Sequence, residues 1–347
     1  MIPESIRRIK VSNIIYPTII GLGVVGYMMY RNFDASVFGY VDFTWTSVAW
    51  LFVAVLCMLG RDAGYVARLK CISQGELSWM QSLRVILLWE FTSAITPSAI
   101  GGTSVAVVYI HKEGISVGRS STMVLLTSFL DELYFVIMFP LMVSLIGWDT
   151  FMQPMSAGGV LSRSLVVFAF TGYSLKLLYT LLISYGLFKN PKTIKYIFVK
   201  LFSLRPLRRW RDDAINAGDE VIVGSQEIKS KGLGFWASAF GATFVSWSSR
   251  YLVANALIMA LFSVGDHFLL FVRQLVMWIM MLVMPTPGGS GFAEEIFSRY
   301  CADMIDVSAE VQLGAVAVIV LLWRLVTFYP YLIAGALLFP RWLKSKF

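Results

Sequence analysis

Six long apolar runs determine what this 347-residue chain can fold into. They cover residues 13–30, 44–60, 120–147, 164–187, 234–262 and 309–339. About 20 apolar residues in a helix cross the hydrocarbon core of a bilayer, and a helix satisfies its own backbone hydrogen bonds there. Charged residues make up only 14% of the chain, whereas a soluble domain carries roughly 25%. The sequence therefore predicts an all-α polytopic membrane protein with about six full spans.

Two further apolar segments, 79–96 and 267–284, end in clusters of proline and glycine. The clusters read Pro97-Ser98-Ala99-Ile100-Gly101-Gly102-Thr103 and Pro285-Thr286-Pro287-Gly288-Gly289-Ser290-Gly291. A helix does not run cleanly through such a cluster, because proline lacks an amide hydrogen and glycine lowers helix stability. We therefore predict two re-entrant or broken helix pairs, at 79–110 and 267–300.

The two broken segments also begin two similar stretches of sequence. Each stretch has an apolar helix, a Pro–Gly break, a short helix and a long closing span, with Asp131-Glu132 and Arg324 at corresponding places. Inverted repeats with broken helices are typical of transporters, and irregular backbone at membrane depth persists where it lines a cavity. We predict membrane halves at 1–187 and 233–347, related as inverted copies. The alternative is that proline and glycine only kink packed helices.

Basic residues predict the orientation of the chain in the membrane. The segment 188–232 holds ten Lys or Arg, and more lie in 61–78 and at the C-terminus, whereas loops 31–43 and 148–163 hold one Arg each. Cytoplasmic loops carry the excess of Lys and Arg. We therefore expect a multi-pass protein of the cell's cytoplasmic or inner membrane, with both termini and the 188–232 segment in the cytoplasm.

The segment 188–232 mixes its basic residues with apolar ones. This pattern favours a surface helix on the anionic lipids of the inner leaflet, and the alternative is a solvated connecting loop. The pattern lacks the stacking aromatic residues of a nucleic-acid binder, so we expect no nucleic-acid partner. Three widely spaced cysteines and two histidines suggest no metal site, no cofactor and no catalytic centre built on histidine.

Charged residues within the apolar runs are the strongest candidates for function. Each costs roughly 2.5–3.5 kcal/mol at the bilayer centre unless it has a partner or a wet lining. We predict that Arg324 contacts Asp131 or Glu132, that Arg324 and Arg273 meet a phosphate, and that Lys176 and Arg84 reach towards the membrane surface. A structural ion pair is the alternative for each. The candidate substrate-binding residues are Glu90, Pro97, Gly101, Gly102, Thr103, Asp131, Glu132, Arg273, Pro287, Gly288, Gly289, Ser290, Glu294 and Arg324.

These motifs resemble a flippase-like membrane family, typified by the transmembrane region of lysylphosphatidylglycerol synthases. The resemblance rests on Pro97 with Gly101-Gly102, on the Pro-Gly-Gly-x-Gly-x-x-Glu stretch that ends at Glu294, and on Leu322-Trp323-Arg324-Leu325. It spans nearly the whole chain and implies movement of a lipid between leaflets. The chain ends at Phe347, so the soluble aminoacyl-transferring domain of some members is not expected, and we expect no enzyme activity.

Three functions follow from these patterns. The first is transmembrane movement of a phospholipid or another lipid-linked substrate, with its head-group in a midplane cavity between the two breaks. The second is a non-transporting partner of an envelope lipid or glycan synthase, which docks through 188–232. The third is an intramembrane enzyme that uses Glu294 and Glu295 as acid and base. The sequence leaves the oligomeric state open, a homo-oligomer included.

Overall fold

A computed structural model of the chain describes Gly39 and residues 43–96, 99–152, 160–203, 211–283, 289 and 291–346. Within these ranges the fold is helical, apart from one short pairing of two strands. The helices are α1 Trp45–Ile72, α2 Trp79–Ile95, α3 Ala99–Lys112, α4 Val117–Ile146, α5 Trp148–Met152, α6 Val160–Ser184, α7 Pro191–Phe202, α8 Arg211–Lys229, α9 Leu233–Leu261, α10 His267–Met280, α11 Phe292–Tyr300, α12 Gln312–Thr327 and α13 Tyr329–Lys346. The strands are β1 Ser263–Val264 and β2 Ile305–Asp306, paired antiparallel.

Five helical segments in the described part of the chain are long and apolar enough to cross a membrane. They are Trp45–Ile72, Val117–Ile146, Ser164–Lys189, Leu233–Leu261 and Gln312–Lys346. Each overlaps one of the predicted full spans, and the remaining predicted span, 13–30, lies outside the described residues. The prediction of an all-α polytopic membrane protein is therefore confirmed.

Helices α1 and α9 pack side by side along most of their length and run antiparallel. Ser249 contacts the position of Gly60, Ser246 donates to the carbonyl oxygen of Arg61 at 2.7 Å, and Arg68 donates to Thr243 at 3.2 Å. Sequence number therefore rises along α1 as it falls along α9. The end of α1 therefore lies beside the start of α9, where Cys71 contacts Phe235.

Gly64 permits the close approach of α1 and α9, and replacing it tests this packing. A Cβ at this position would lie 2.7 Å from the carbonyl oxygen of Ala242 and 2.9 Å from the amide nitrogen of Ser246. Backbone atoms cannot yield without separating the helices, so we expect Gly64→Leu to cost about 1–3 kcal/mol of stability. Thermal unfolding of the purified protein in detergent measures this loss. Gly241→Leu, in open space on α9, is the matched control and should unfold like the wild type.

Helices α2 and α3 form the first hairpin. Thr92 on α2 is hydrogen-bonded to Tyr109 on α3 at 2.5 Å, and Arg84 is paired with Glu113 at 3.0 Å. The chain therefore turns back on itself between α2 and α3, as the predicted re-entrant pair at 79–110 requires. Pro97 lies outside the described residues.

The Gly-Gly pair of this hairpin is helical, contrary to the prediction that it breaks the helix. α3 begins at Ala99, so Gly101, Gly102 and Thr103 lie within it. A Cβ on Gly102 would come 2.9 Å from the Cα of Ser93 on α2. Glycine at this position therefore lets the two arms of the hairpin touch, and α2 has already ended at Ile95, before the Gly-Gly pair.

Helices α10 and α11 form the second hairpin. Arg273 on α10 donates to the carbonyl oxygen of Tyr300 at 2.9 Å, and the β1–β2 pairing closes the base. Gly289 and Gly291 near the tip have φ of +67° and +87°, a conformation that favours glycine. The predicted site residues Pro287, Gly288 and Ser290 lie outside the described residues.

The two hairpins begin at opposite ends of the α1–α9 pair. The first hairpin follows the end of α1, and the second follows the end of α9. Since α1 and α9 are antiparallel, the hairpins begin at opposite ends of the bundle. Their first helices run back along the pair, so that Glu90 on α2 reaches Arg61 and Trp278 on α10 reaches Arg250. This is the arrangement that an inverted repeat requires. Internal symmetry of the two halves stays a prediction.

The basic segment 188–232 contains two helices, α7 and α8, which pack against each other. Lys195 on α7 is paired with Asp219 on α8 at 2.6 Å, and Arg119 on α4 is paired with Glu227 on α8 at 2.6 Å. Hydrogen bonds from Gln74 and Arg119 hold the pKa of the Glu227 carboxyl below its ordinary value. The segment is thus attached to the membrane bundle through α8, and its contact with lipid stays a prediction.

Candidate functional site

Charged side chains from five helices meet inside the bundle. We call this group the charge cluster, and its members are Arg61, Asp62 and Arg68 on α1, Glu90 on α2, Asp131 and Glu132 on α4, Lys176 on α6 and Arg250 on α9. The cluster has as many cationic as anionic members. Pairing is the arrangement expected of charges that would each be costly alone at membrane depth.

Glu90 connects the first hairpin to the α1–α9 pair. Its carboxylate forms an ion pair with Arg61, and the same oxygen lies 3.6 Å from Nη2 of Arg250. Arg61 also contacts Asp62 at 2.8 Å, and Tyr331 on α13 donates to both oxygens of Asp62, at 2.8 and 2.9 Å. Four helices are thus joined around two guanidinium groups and two carboxylates.

The adjacent residues Asp131 and Glu132 form ion pairs with different helices. Asp131 pairs with Arg68 through both oxygens and accepts a hydrogen bond from the indole of Trp247 at 2.7 Å. Glu132 is paired with Lys176 at 2.9 and 3.1 Å. Consecutive side chains on a helix point about 100° apart. Asp131 therefore faces α1 and α9, whereas Glu132 faces α6.

The predicted contact of Arg324 with Asp131 or Glu132 is wrong. Arg324 pairs instead with Glu294 on α11, with Nε 2.7 Å from Oε1. The other oxygen of Glu294 accepts from the backbone amide of Gly291 at 2.7 Å, and Arg324 also donates to the carbonyl oxygen of Gly289 at 3.4 Å. Because the Glu294 side chain is 0% exposed, this pair fastens the break of the second hairpin to α12.

Two further predicted roles change once the partners are seen. Arg273 is held by Asp303 and by the carbonyl oxygen of Tyr300, so it closes the base of the second hairpin. Glu295 is half exposed and pairs with Arg299 on its own helix. Glu294 is fully buried, so Glu294 and Glu295 face different surroundings. The alternative of an intramembrane enzyme that uses Glu294 and Glu295 as acid and base stays a hypothesis.

The accessible side of the charge cluster is acidic. The side chains of Glu90 and Asp131 are 24% and 22% exposed, whereas those of their partners Arg61 and Arg68 are 0% and 3% exposed. The carboxylates therefore lie between the buried guanidinium groups and accessible space. A polar group that entered this space would meet the carboxylates first.

Of the eight members of the charge cluster, only Glu90, Asp131 and Glu132 were among the predicted site residues. Arg61 and Arg68 were assigned to a cytoplasmic loop, but α1 continues to Ile72 and buries both. The spacing of Arg61, Tyr65 and Arg68 places them on one helical face, and this signal could have identified them. Lys176 was expected to reach towards the membrane surface, but it is buried against Glu132.

The sequence profile of the lysylphosphatidylglycerol synthase TM region matches residues 14–335. This chain belongs to that family. The predicted resemblance to the lysylphosphatidylglycerol synthase transmembrane family is therefore confirmed, and the match includes every residue of the charge cluster and both hairpins.

A comparison with curated proteins also finds a relative that aligns with most of the chain. The chain is 26% identical, over 341 residues, to a protein of Archaeoglobus fulgidus described as a UPF0104 membrane protein. The aligned part covers 90% of this chain and 95% of the relative. No solved structure matches the chain.

Proposed function

We propose that this protein moves a lipid or lipid-linked amphiphile between the leaflets of a membrane. The polar head-group would lie against the charge cluster, between the two hairpins, while the tails remain in the bilayer. The observation that supports this proposal is the partial exposure of the Glu90 and Asp131 carboxylates beside two hairpins that begin at opposite ends of the α1–α9 pair. Membership of a family named for the membrane region of a lipid synthase supports the same class of substrate.

A head-group crosses a bilayer slowly because its polar atoms lose their hydration in hydrocarbon. The charge cluster offers replacement partners, since its carboxylates and guanidinium groups bind cationic and anionic groups respectively. Opposed hairpins offer two separate gates, one towards each leaflet, as in transporters with inverted repeats. Lipid movement then needs only the exchange of ion pairs within the cluster as one hairpin opens and the other closes.

We place the protein in the cell's cytoplasmic membrane, with 188–232 and both termini on the cytoplasmic side. The basic residues around α7 and α8 are the basis for this orientation. Attraction between these residues and anionic lipids of the inner leaflet would hold α7 at the membrane surface. The orientation can be tested by labelling the lysines of intact cells with a reagent that does not cross the membrane. Labelling of Lys192 from outside the cell would reverse the orientation.

Reconstitution into liposomes tests lipid movement. We expect labelled phospholipid in the inner leaflet to become accessible to an external quencher only in liposomes that contain the protein. The double variant Glu132→Gln with Lys176→Met removes one ion pair of the charge cluster without leaving an unpaired charge, and we expect it to slow this movement at least severalfold. The double variant Glu295→Gln with Arg299→Gln, in a half-exposed pair on α11, is the control. Absence of movement for every lipid tested, with folded protein, would contradict the proposal.

The partner of an envelope synthase remains the alternative function. α7 presents exposed Tyr196 and Ile197 beside its lysines, which is a surface that a protein could also use. Deletion of 188–232 distinguishes the two functions. If the protein is a transporter, a variant in which a short linker replaces 188–232 should keep most of its lipid movement. If the protein is a docking partner, the same variant should no longer co-purify with its synthase.

A further inference from the structure

We propose that Arg61 and Arg250 form a binding site for a phosphate group and that Glu90 occupies this site as an internal substitute when no ligand is bound. This inference rests on the proposed function, because the phosphate would belong to the head-group of the transported lipid. It differs from the expectation that Arg324 and Arg273 meet the phosphate. Arg324 is paired with the fully buried Glu294, and Arg273 lies at the base of the second hairpin.

Two guanidinium groups converge on one carboxylate oxygen at this site. Oε2 of Glu90 is the oxygen nearest to both Nη2 of Arg61 and Nη2 of Arg250. The two arginines come from α1 and α9, and the close packing of these antiparallel helices fixes the distance between them. Arginine pairs bind phosphate as they bind carboxylate, through parallel N–H donors, and phosphate has more acceptor oxygens to offer.

The site has more buried donors than acceptors. Among the described residues, no acceptor is hydrogen-bonded to Nε of Arg61, to Nε of Arg250 or to the indole nitrogen of Trp278, all of which are buried. Trp278 belongs to α10, and the guanidinium of Arg250 lies 4.3 Å from its ring centre. Buried polar atoms normally have partners. An anion with several acceptor oxygens is the ligand chemistry that would satisfy this excess.

Glu90 lies where it can be displaced. Its carboxylate is partly exposed, whereas Arg61 is fully buried and Arg250 nearly so. A phosphate must therefore replace Glu90 before it reaches the guanidinium groups. Exchange of one anion for another keeps the arginines neutralised, which avoids the large cost of an unpaired buried charge.

The exchange would also couple binding to movement of the first hairpin. Glu90 belongs to α2, so the ion pairs of Glu90 with Arg61 and Arg250 tie this hairpin to α1 and α9. Trp278 belongs to the second hairpin. A phosphate at Arg61 and Arg250 would release the first hairpin while it contacts the second, so the same event would favour opening on one side only.

Binding of soluble probes to the purified full chain tests the site. The probes are dihexanoyl phosphatidylglycerol, inorganic phosphate and, as a ligand without phosphate, dihexanoylglycerol. We expect the two phosphate-bearing probes to bind and raise the melting temperature. We expect Glu90→Gln to bind them about tenfold more tightly, because the competing anion is gone, and Arg250→Gln to bind them about tenfold more weakly. Glu295→Gln is the control and should bind like the wild type.

The results distinguish the site from the proposed function. Unchanged phosphate binding in Arg250→Gln would overturn the site, even if Glu90→Gln does not fold, and so would equal binding of dihexanoylglycerol and dihexanoyl phosphatidylglycerol. Tighter binding of the lipid probe than of inorganic phosphate identifies a lipid head-group as the source, and equal binding identifies free phosphate. If binding follows the expected order but no lipid moves in liposomes, the site stands and the transport proposal fails.

Discussion

Arg324→Ala is expected to destabilise the protein by about 3 kcal/mol and to stop lipid movement in liposomes. The substitution leaves the Glu294 carboxylate fully buried without its guanidinium partner. It also removes the donor to the carbonyl oxygen of Gly289, at the break of the second hairpin. The hairpin then loses its attachment to α12. Thermal unfolding in detergent and quenching of labelled lipid in liposomes measure the two losses.

A neutral version of the same pair separates charge from packing. Glu294→Gln combined with Arg324→Met keeps an acceptor for the Gly291 amide and removes both charges. We expect its stability to return to within about 1 kcal/mol of the wild type, as often happens when a buried ion pair is replaced as a unit. Lipid movement should return with it, because neither side chain reaches accessible space. A double variant that is stable but does not move lipid would show that Arg324 or Glu294 binds substrate directly.

The membrane helices could be predicted because the bilayer imposes a length on them. Runs such as 120–147 and 234–262 correspond to α4 and α9 almost residue for residue. The end of α1 could not be predicted in the same way. Arg61 looked like a boundary, since a charge is expensive inside a membrane. Its partner Glu90 comes from another helix, and only tertiary structure brings the two together.

The hairpins could be predicted from Pro–Gly clusters, but the role of each glycine could not. Gly102 allows contact with Ser93, whereas Gly289 and Gly291 adopt positive φ near a tip. These are different physical reasons for the same residue type. The sequence identifies each glycine, but its structural role depends on the neighbours that the fold places beside it.

The candidate site was predicted in its residue types but not in its pairs. Glu90, Asp131, Glu132, Glu294 and Arg324 were all identified as costly charges in apolar surroundings. Which carboxylate meets which guanidinium depends on the rotation of each helix about its axis. A single residue step turns a side chain by about 100°, so Asp131 and Glu132 face different helices.

Asp131→Asn is expected to have the second large effect, a loss of about 3 kcal/mol of stability together with lipid movement. Asp131 accepts from both Nη atoms of Arg68 and from the indole of Trp247, and Arg68 is almost fully buried. Asparagine keeps the size of the side chain and one acceptor but leaves the charge of Arg68 unpaired. Asp219→Asn, at an exposed pair on α8, is the matched control and should change neither stability nor movement.

The neutral double variant should behave differently here from the one at the second hairpin. Asp131→Asn combined with Arg68→Met removes both charges, so we expect most of the stability to return. Lipid movement should stay low, because the Asp131 carboxylate is partly exposed to the space where a head-group would lie. A buried ion pair that only stabilises the fold can be replaced by neutral side chains without loss of function, whereas a charge that binds the head-group cannot. Recovery of lipid movement in this variant would show that Asp131 and Arg68 only stabilise the fold. The head-group site would then be restricted to Glu90, Arg61 and Arg250.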